Sequence, residues 1–406
     1  VIFHAQEIAT GSTTGSTSRW NKHRVCGLLL VLLLCNATLI EVPEQARATE
    51  PQVVMPTKPL QLLGQQTLFR SGTAATHTYR IPAIITAANG DLIAACDARQ
   101  TSAADLVHQR TIAIVFRRSS DLGATWSPIE VMSKGQEGGC SDPSFLLDKV
   151  SGELFCFYNF MSPDKQSREY RFLVQKSSDH GQTWQDAVDI TDQVREPSLQ
   201  LEFTFVTSGR GIQTRSGRLM HNFVHVGHGA TLFFSDDHGK SWQSGAKVSP
   251  ADESKVVELP DGTLMVNSRH NPGGRHVHRS SDNGATWRSG VETSLPDPRC
   301  NASILQFTAK RDGYAKDRLL FCNAASNAGR KNLAVRISYD HGQTWSEGKV
   351  IDSGPAAYSE LTALTDGSIG VLYEPGHAEI RFVRFTLEAL TDGQDTLEAP
   401  KVPAAR

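Results

Sequence analysis

Ser338-Tyr339-Asp340-His341-Gly342-Gln343-Thr344-Trp345 is one of five copies of a single octapeptide pattern, Ser-x-Asp-x-Gly-x-[Thr/Ser]-Trp. The others occupy residues 119–126, 177–184, 235–242 and 280–287, so successive starts lie 58, 58, 45 and 58 residues apart. Five of the six Trp in the chain end a copy, which excludes coincidence. Self-similarity at such a period marks a propeller or another repeat array. The physics of one copy is local: Asp accepts from nearby backbone N–H groups, Gly supplies a tight turn, and Trp plugs the space beneath. Asp121, Asp179, Asp237, Asp282 and Asp340 are therefore read as structural staples of a β-hairpin, because an acid repeated five times is a poor candidate for one catalytic group.

Between the boxes the pattern is strand, tight turn, strand. Residues 81–86 and 92–95 flank a turn containing Asn89-Gly90, the short-range signal of a hairpin. The same arrangement recurs at 144–147 with 154–158, 256–259 with 264–268, and 361–364 with 369–373. Each pair but the last is followed by an apolar strand that runs into a box, and long amphipathic helix patterns are absent. The reading is an all-β chain, a six-bladed β-propeller of four-stranded antiparallel blades. Five boxes mark five blades, and residues 346–390 supply the strands of a sixth. Radial repetition leaves only short edges and a central depression. The sixth blade is expected to close with a strand from near residues 65–70, tying the ends together.

The chain has 406 residues, 39% of them hydrophobic, 33 Gly and a formal net charge of −2. This suits one large turn-rich domain and gives no electrostatic case for nucleic acid. Residues 1–48 differ in composition: a Ser/Thr/Gly-rich start, then Arg19, Lys22, His23 and Arg24, then a Leu-rich run over 25–40 and Ala46-Arg47-Ala48. That order reads as a secretory signal cleaved after Ala48, hence a secreted or periplasmic protein with no stable membrane insertion. The alternative is an uncleaved anchor, although the run is short of the roughly 20 apolar residues of a span. The propeller domain is placed at 49–390, followed by a polar tail at 391–406 with no further domain expected.

Cys26 and Cys35 fall in the leader, leaving Cys96, Cys140, Cys156, Cys300 and Cys322. Five is odd and no C-x-x-C spacing occurs, so at least one thiol is unpaired and no zinc site is suggested. Cys96 and Cys156 lie in apolar runs and read as small core residues. Asn301-Ala302-Ser303 fits a glycosylation acceptor pattern.

At Tyr79-Arg80-Ile81-Pro82, taken with the boxes, the chain resembles the sialidase (exo-α-sialidase, neuraminidase) superfamily over about residues 65–387. The resemblance implies that Arg80, Arg269 in Asn267-Ser268-Arg269, and Arg330 in Gly329-Arg330-Lys331 form a triad gripping a sugar carboxylate. Guanidinium suits that task because it binds carboxylate bidentately. Glu374, in Tyr373-Glu374-Pro375, is implied to brace Arg80, a counter-charge that clustered arginines require.

Tyr358 and Glu253 match the family's catalytic tyrosine and its glutamate partner. A free phenol with a pKa near 10 is a poor nucleophile, and an adjacent base activates it. Sialidases are the tyrosine exception to the two-carboxylate scheme of glycoside hydrolysis. Asp105, in the loop after Asp97-Ala98-Arg99, is implied to be the general acid/base. Arg99 and Asp142 are implied near the sugar's O4 and N-acetyl side, Phe203 or Phe205 as a pocket wall, and Gln213 at the glycerol tail.

The implied activity is that of a glycoside hydrolase, a retaining exo-α-sialidase on sialylated glycans that passes through a tyrosyl-sugar intermediate and needs no cofactor or metal. A trans-sialidase or a hydrolase of a related nonulosonic acid is the alternative; the lack of Trp outside the boxes after residue 48 favours hydrolysis. A non-catalytic sialic-acid-binding propeller is the reading from a different class, and it predicts empty catalytic positions.

Overall fold

The computed structural model describes residues 55–401 apart from 165, 168–169, 196–203 and 270–273. The leader, its Cys26 and Cys35, and Phe203 lie outside the described residues. No helix among the described residues is long and apolar enough to cross a membrane.

Six antiparallel sheets follow one another in chain order. Blade I holds Thr78–Thr86, Leu92–Arg99, Ile112–Ser119 and Glu130–Val131. Blade II holds Gly139–Leu147, Leu154–Met161, Arg171–Ser177 and Val188–Asp189. Blade III is built on Leu219–His225, Gly229–Ser235 and Gln243–Val248. Blade IV runs from Ser254–Glu258 to Arg288–Glu292, and blade V from Ser303–Thr308 to Lys349–Pro355. Blade VI comprises Ser359–Ala363, Ile369–Tyr373 and Glu379–Phe385, and Gly64–Arg70 supplies its fourth strand. That strand pairs antiparallel with Glu379–Phe385, from Gly64 opposite Arg384 to Arg70 opposite Glu379. The ring thus closes as the sequence predicts.

Blades II and III depart from the expected four strands. The innermost strand of blade III is split into Thr204–Val206 and Ile212–Gln213, both paired with Leu219–His225. Between the halves, Gly209–Arg210 leaves the sheet and pairs in parallel with Gly139–Leu147 of blade II. Glycine permits the excursion: Gly209 has φ +106°, and a Cβ there would lie 2.1 Å from Glu360 Oε2.

Each box joins the third and fourth strands of its blade. In the copy quoted above, Asp340 Oδ1 accepts from Ser338 Oγ at 2.8 Å, Gln343 N at 3.1 Å and Thr344 N at 2.8 Å. Its Oδ2 accepts from Thr344 Oγ1, and Gly342 N donates to Ser338 Oγ. The Trp does more than fill its own hairpin. Trp126 meets Phe382 of blade VI edge-on at 5.3 Å, Trp184 meets Phe116 of blade I, and Trp242 meets Phe155 and Phe157 of blade II. Each of these indoles wedges its blade against the preceding one, and such an aromatic pair adds about 0.5–1.5 kcal/mol beyond area burial.

The polar segment after residue 390 is docked on blade V over residues 391–401. Asp395, 5% exposed, accepts from Arg318 Nε at 2.7 Å, Lys316 Nζ at 2.9 Å and Tyr339 Oη at 2.8 Å. Lys401 N donates to Gly313 O. A buried Arg on blade V needs a counter-charge, and residues 391–401 bring it.

Candidate active site

Two bulges aim the first side chains. In blade I the register shifts between Arg80 and Ala83, and Ile81 before Pro82 takes φ +63°. In blade II it shifts between Ser141 and Ser144, and Asp142 before Pro143 takes φ +64°. A bulge frees one backbone amide from the ladder, and each freed amide is claimed by a buried carboxylate of the preceding blade. Ile81 N donates to Glu374 Oε1 at 2.7 Å, and Asp142 N to Asp97 Oδ1 at 2.9 Å. The amide oxygen Oδ1 of Asn159 accepts from Val206 N of the next blade at 2.7 Å. These contacts turn Arg80 and Asp142 inward, toward one cleft of about 310 Å³.

Every blade contributes to that cleft. Its lining includes Arg80 and Asp105 from blade I, Asp142 and Tyr170 from II, Phe205 and Val226 from III. Asp252, Glu253 and Arg269 come from IV, Arg299 and Arg330 from V, and Tyr358 from VI. The three arginines named from sequence converge on Tyr358: the Arg80 and Arg330 guanidiniums stand 5.9 and 5.3 Å from its ring centre. Arg269 Nη1 donates to Tyr358 Oη at 3.1 Å.

Tyr358 Oη donates to Glu253 Oε1 at 2.7 Å, and Glu253 Oε2 lies 2.8 Å from Arg269 Nη1. Tyr358 is 6% exposed and Glu253 4%. Burial, and then the Glu253 charge, push the phenol well above its ordinary pKa; Arg269 and Arg330 pull the other way. The resting Tyr358 is thus a neutral phenol, hydrogen-bonded to Glu253. Behind it, Glu374 is fully buried and accepts from Arg80 Nε at 2.7 Å and from Tyr358 N at 3.2 Å. Despite burial, Arg80 and these N–H donors hold its carboxyl below the usual range.

Asp105 sits at the rim with its side chain 72% exposed, 2.7 Å from Arg99 Nη1. Arg99 is itself buried, also pairs with Asp97, and does not line the cleft. Its position therefore fits an arm that holds Asp105. Asp142 accepts from Asn159 Nδ2 at 3.1 Å, and its carboxyl is pushed well up by burial and by the charges of Asp97 and Glu253.

Gln213 does not reach the cleft. Its amide is spent on Lys149 N, Asp148 Oδ1 and Gly217 O, and it lines a separate cavity with Arg210 and Phe307. The excursion at Gly209–Arg210 carries the chain away from the cleft before Gln213 is reached. The sequon fails as well: Asn301 is 2% exposed, donates to Ser208 Oγ and accepts from Lys255 Nζ at 3.0 Å. Residues that sequence reasoning missed include Asp252, 3.2 Å from Arg269 Nε, and Arg299, whose carbonyl accepts from Arg330 Nη2. Tyr170 and Val226 gave no signal, since nothing local distinguishes a rim side chain from a surface one.

The family described as BNR repeat-like domain matches residues 91–371. A sialidase of Micromonospora viridifaciens is 36% identical over 91% of this chain, which spans 60% of that protein's length. Sialidase-2 of Mus musculus is 31% identical over 80% of this chain and 96% of its own. The solved structure of the Hadza microbial sialidase Hz136 superposes with a TM-score of 0.73 at 30% identity, covering 80% of this chain and 69% of that one. The chain belongs to the BNR-repeat sialidase family.

Proposed function

We propose that the protein is a retaining exo-α-sialidase acting on terminal α-linked sialic acids of glycoconjugates. The observation that carries this reading is the buried 2.7 Å hydrogen bond from Tyr358 to Glu253 on the floor of a cleft ringed by Arg80, Arg269 and Arg330. Three guanidiniums suit a carboxylate attached to the reacting carbon. A neutral tyrosine avoids bringing a bare carboxylate against that charge, and Glu253 is within reach to take its proton.

In the first step a bond forms between Tyr358 Oη and the anomeric carbon as the bond to the leaving oxygen breaks. The phenolic proton passes to Glu253, and Asp105 protonates the leaving oxygen. In the second step water adds to the anomeric carbon and gives a proton to Asp105. The bond to Tyr358 breaks and Glu253 returns its proton to the phenolate. Asp142, Phe205 and Tyr170 also line the cleft, and the rest of the sugar is accommodated against them. The leader over 1–48 supports a secreted or periplasmic location.

The test is release of free sialic acid from an α-sialoside by wild type and by Tyr358→Phe. Release by wild type, with a loss of several orders of magnitude in the variant, is expected. A folded wild type that binds sialic acid without releasing it from the glycoside contradicts the proposal.

A further inference from the structure

The loop from Arg99 to Thr111 carries Asp105, and its interior is filled by one polar side chain that no part of the proposed reaction uses. Gln109 is 9% exposed. Its Nε2 donates to Ser102 O at 2.9 Å and Ala104 O at 2.6 Å, while its Oε1 accepts from Thr101 Oγ1 at 2.8 Å and Thr111 Oγ1 at 3.3 Å. A primary amide has two donor hydrogens and a carbonyl with two lone pairs, so Gln109 is saturated by the loop itself. The backbone turns on the same point: His108 N and Gln109 N both donate to Asp105 O, at 2.9 and 3.2 Å. The Gln109 amide thus clasps the loop segment entering Asp105, through the carbonyls of Ser102 and Ala104. Thr101 and Thr111 tie the same amide to the loop's base.

The placement of Asp105 otherwise depends on Arg99, which bonds Ala103 O as well as the Asp105 carboxylate. That contact fixes the charged form of Asp105 and weakens once the carboxyl is protonated. A clasp made of neutral amide bonds does not change with the proton. Leu106, 1% exposed, anchors the far side of Asp105 beside the cleft. The arrangement leaves the side chain exposed and its backbone held, which is what a proton donor at a rim needs.

We propose that Gln109 is a positioning residue for proton transfer at the glycosidic oxygen, holding Asp105 where it protonates the leaving group. The inference rests on the reading of Asp105 as general acid/base. Removing the clasp lets Asp105 drift without touching Tyr358, Glu253 or the arginines. The consequence is specific to the leaving group. A sugar alkoxide leaves only when protonated; a 4-nitrophenolate leaves unaided.

The experiment measures kcat/KM, which reports the steps through formation of the glycosyl-enzyme, for sialyllactose and for 4-nitrophenyl sialoside. Gln109→Leu is expected to lose about 10–100-fold on sialyllactose, the scale of a misplaced catalytic group. On the aryl sialoside it is expected to keep kcat/KM within about 3-fold, which also certifies folding. Thr101→Val removes one partner of the Gln109 carbonyl and is expected to show the same pattern with a smaller loss. Equal losses on both substrates, or none on either, overturn the proposal. Asp105→Ala is run beside them. If it shows the leaving-group split and Gln109→Leu does not, only the inference on Gln109 falls. If Asp105→Ala shows no split, the acid/base reading falls and takes this inference with it.

Discussion

Arg80 and Glu374 stand 294 residues apart in sequence and 2.7 Å apart in space, the first on blade I and the second at the end of a blade VI strand. The same carboxylate binds the amides of Ile81 and Tyr358. One buried Glu therefore sets the position of an arginine that lines the cleft and of the segment that carries Tyr358. Removing one partner of a buried ion pair leaves the other uncompensated, at about 3–5 kcal/mol. Glu374→Gln keeps the shape and removes the charge. Denaturant titration is expected to show a loss on that scale. Kinetics are expected to show kcat/KM down at least about 10-fold, mainly through KM, as Arg80 loosens.

Asp340 belongs to a box remote from the cleft, and its four hydrogen bonds are all local. Asp340→Ala is expected to cost about 0.5–1.5 kcal/mol of stability, the net contribution of hydrogen bonds whose donors face water, and to leave kcat/KM unchanged. A fall in kcat/KM at a temperature where the variant is fully folded contradicts the structural assignment of the boxes.

Acid should act on the fold through these same carboxylates. Hydrogen bonds from Thr and Ser partners lower the Asp121 and Asp282 carboxyls to about 2, and Asp179, despite some burial, reaches about 2 as well. Glu374 is lowered too, held by Arg80 against its burial. Each binds its proton more weakly folded than unfolded. The contribution of the three Asp is thus whole above the unfolded value near 4 and is lost as pH falls toward about 2, and that of Glu374 is likewise lost on acidification. Thermal melts are expected to hold steady from pH 7 to about 5 and to drop steeply below about 4.

All five cysteines among the described residues are buried as free thiols. Burial pushes Cys140, Cys300 and Cys322 up to about 12, so almost no thiolate exists at neutral pH. Iodoacetamide is expected to leave Cys96, Cys140, Cys156, Cys300 and Cys322 unlabelled in the native protein and to label all five after denaturation. Dithiothreitol is expected to change neither activity nor melting temperature.

The sequence disclosed what is local and what is repeated. An Asp box carries its own partners within eight residues, so its role and the blade count followed from pattern alone. The closing strand near residue 65 followed from counting strands. Bulges did not show: nothing in Tyr79-Arg80-Ile81-Pro82 announces a positive φ at Ile81, yet that turn is what aims Arg80. The misplacement of Gln213 has a similar cause, because the Gly209–Arg210 excursion moves pairing from one blade to another. Arg80, Arg269, Arg330, Tyr358 and Glu253 were reachable only through family likeness, since their meeting depends on ring closure. Asp252 and Arg299 became visible only as partners of Arg269 and Arg330. Gln109 is legible only once the Asp105 loop is seen around it.

The central claim is that Tyr358 attacks the sugar and water then displaces it, two inversions that return the original configuration. Proton NMR of the first seconds of α-sialoside hydrolysis tests this directly, before mutarotation blurs the product. The account predicts that α-sialic acid appears first and that the β-anomer grows in later. The β-anomer appearing first contradicts a covalent tyrosyl intermediate.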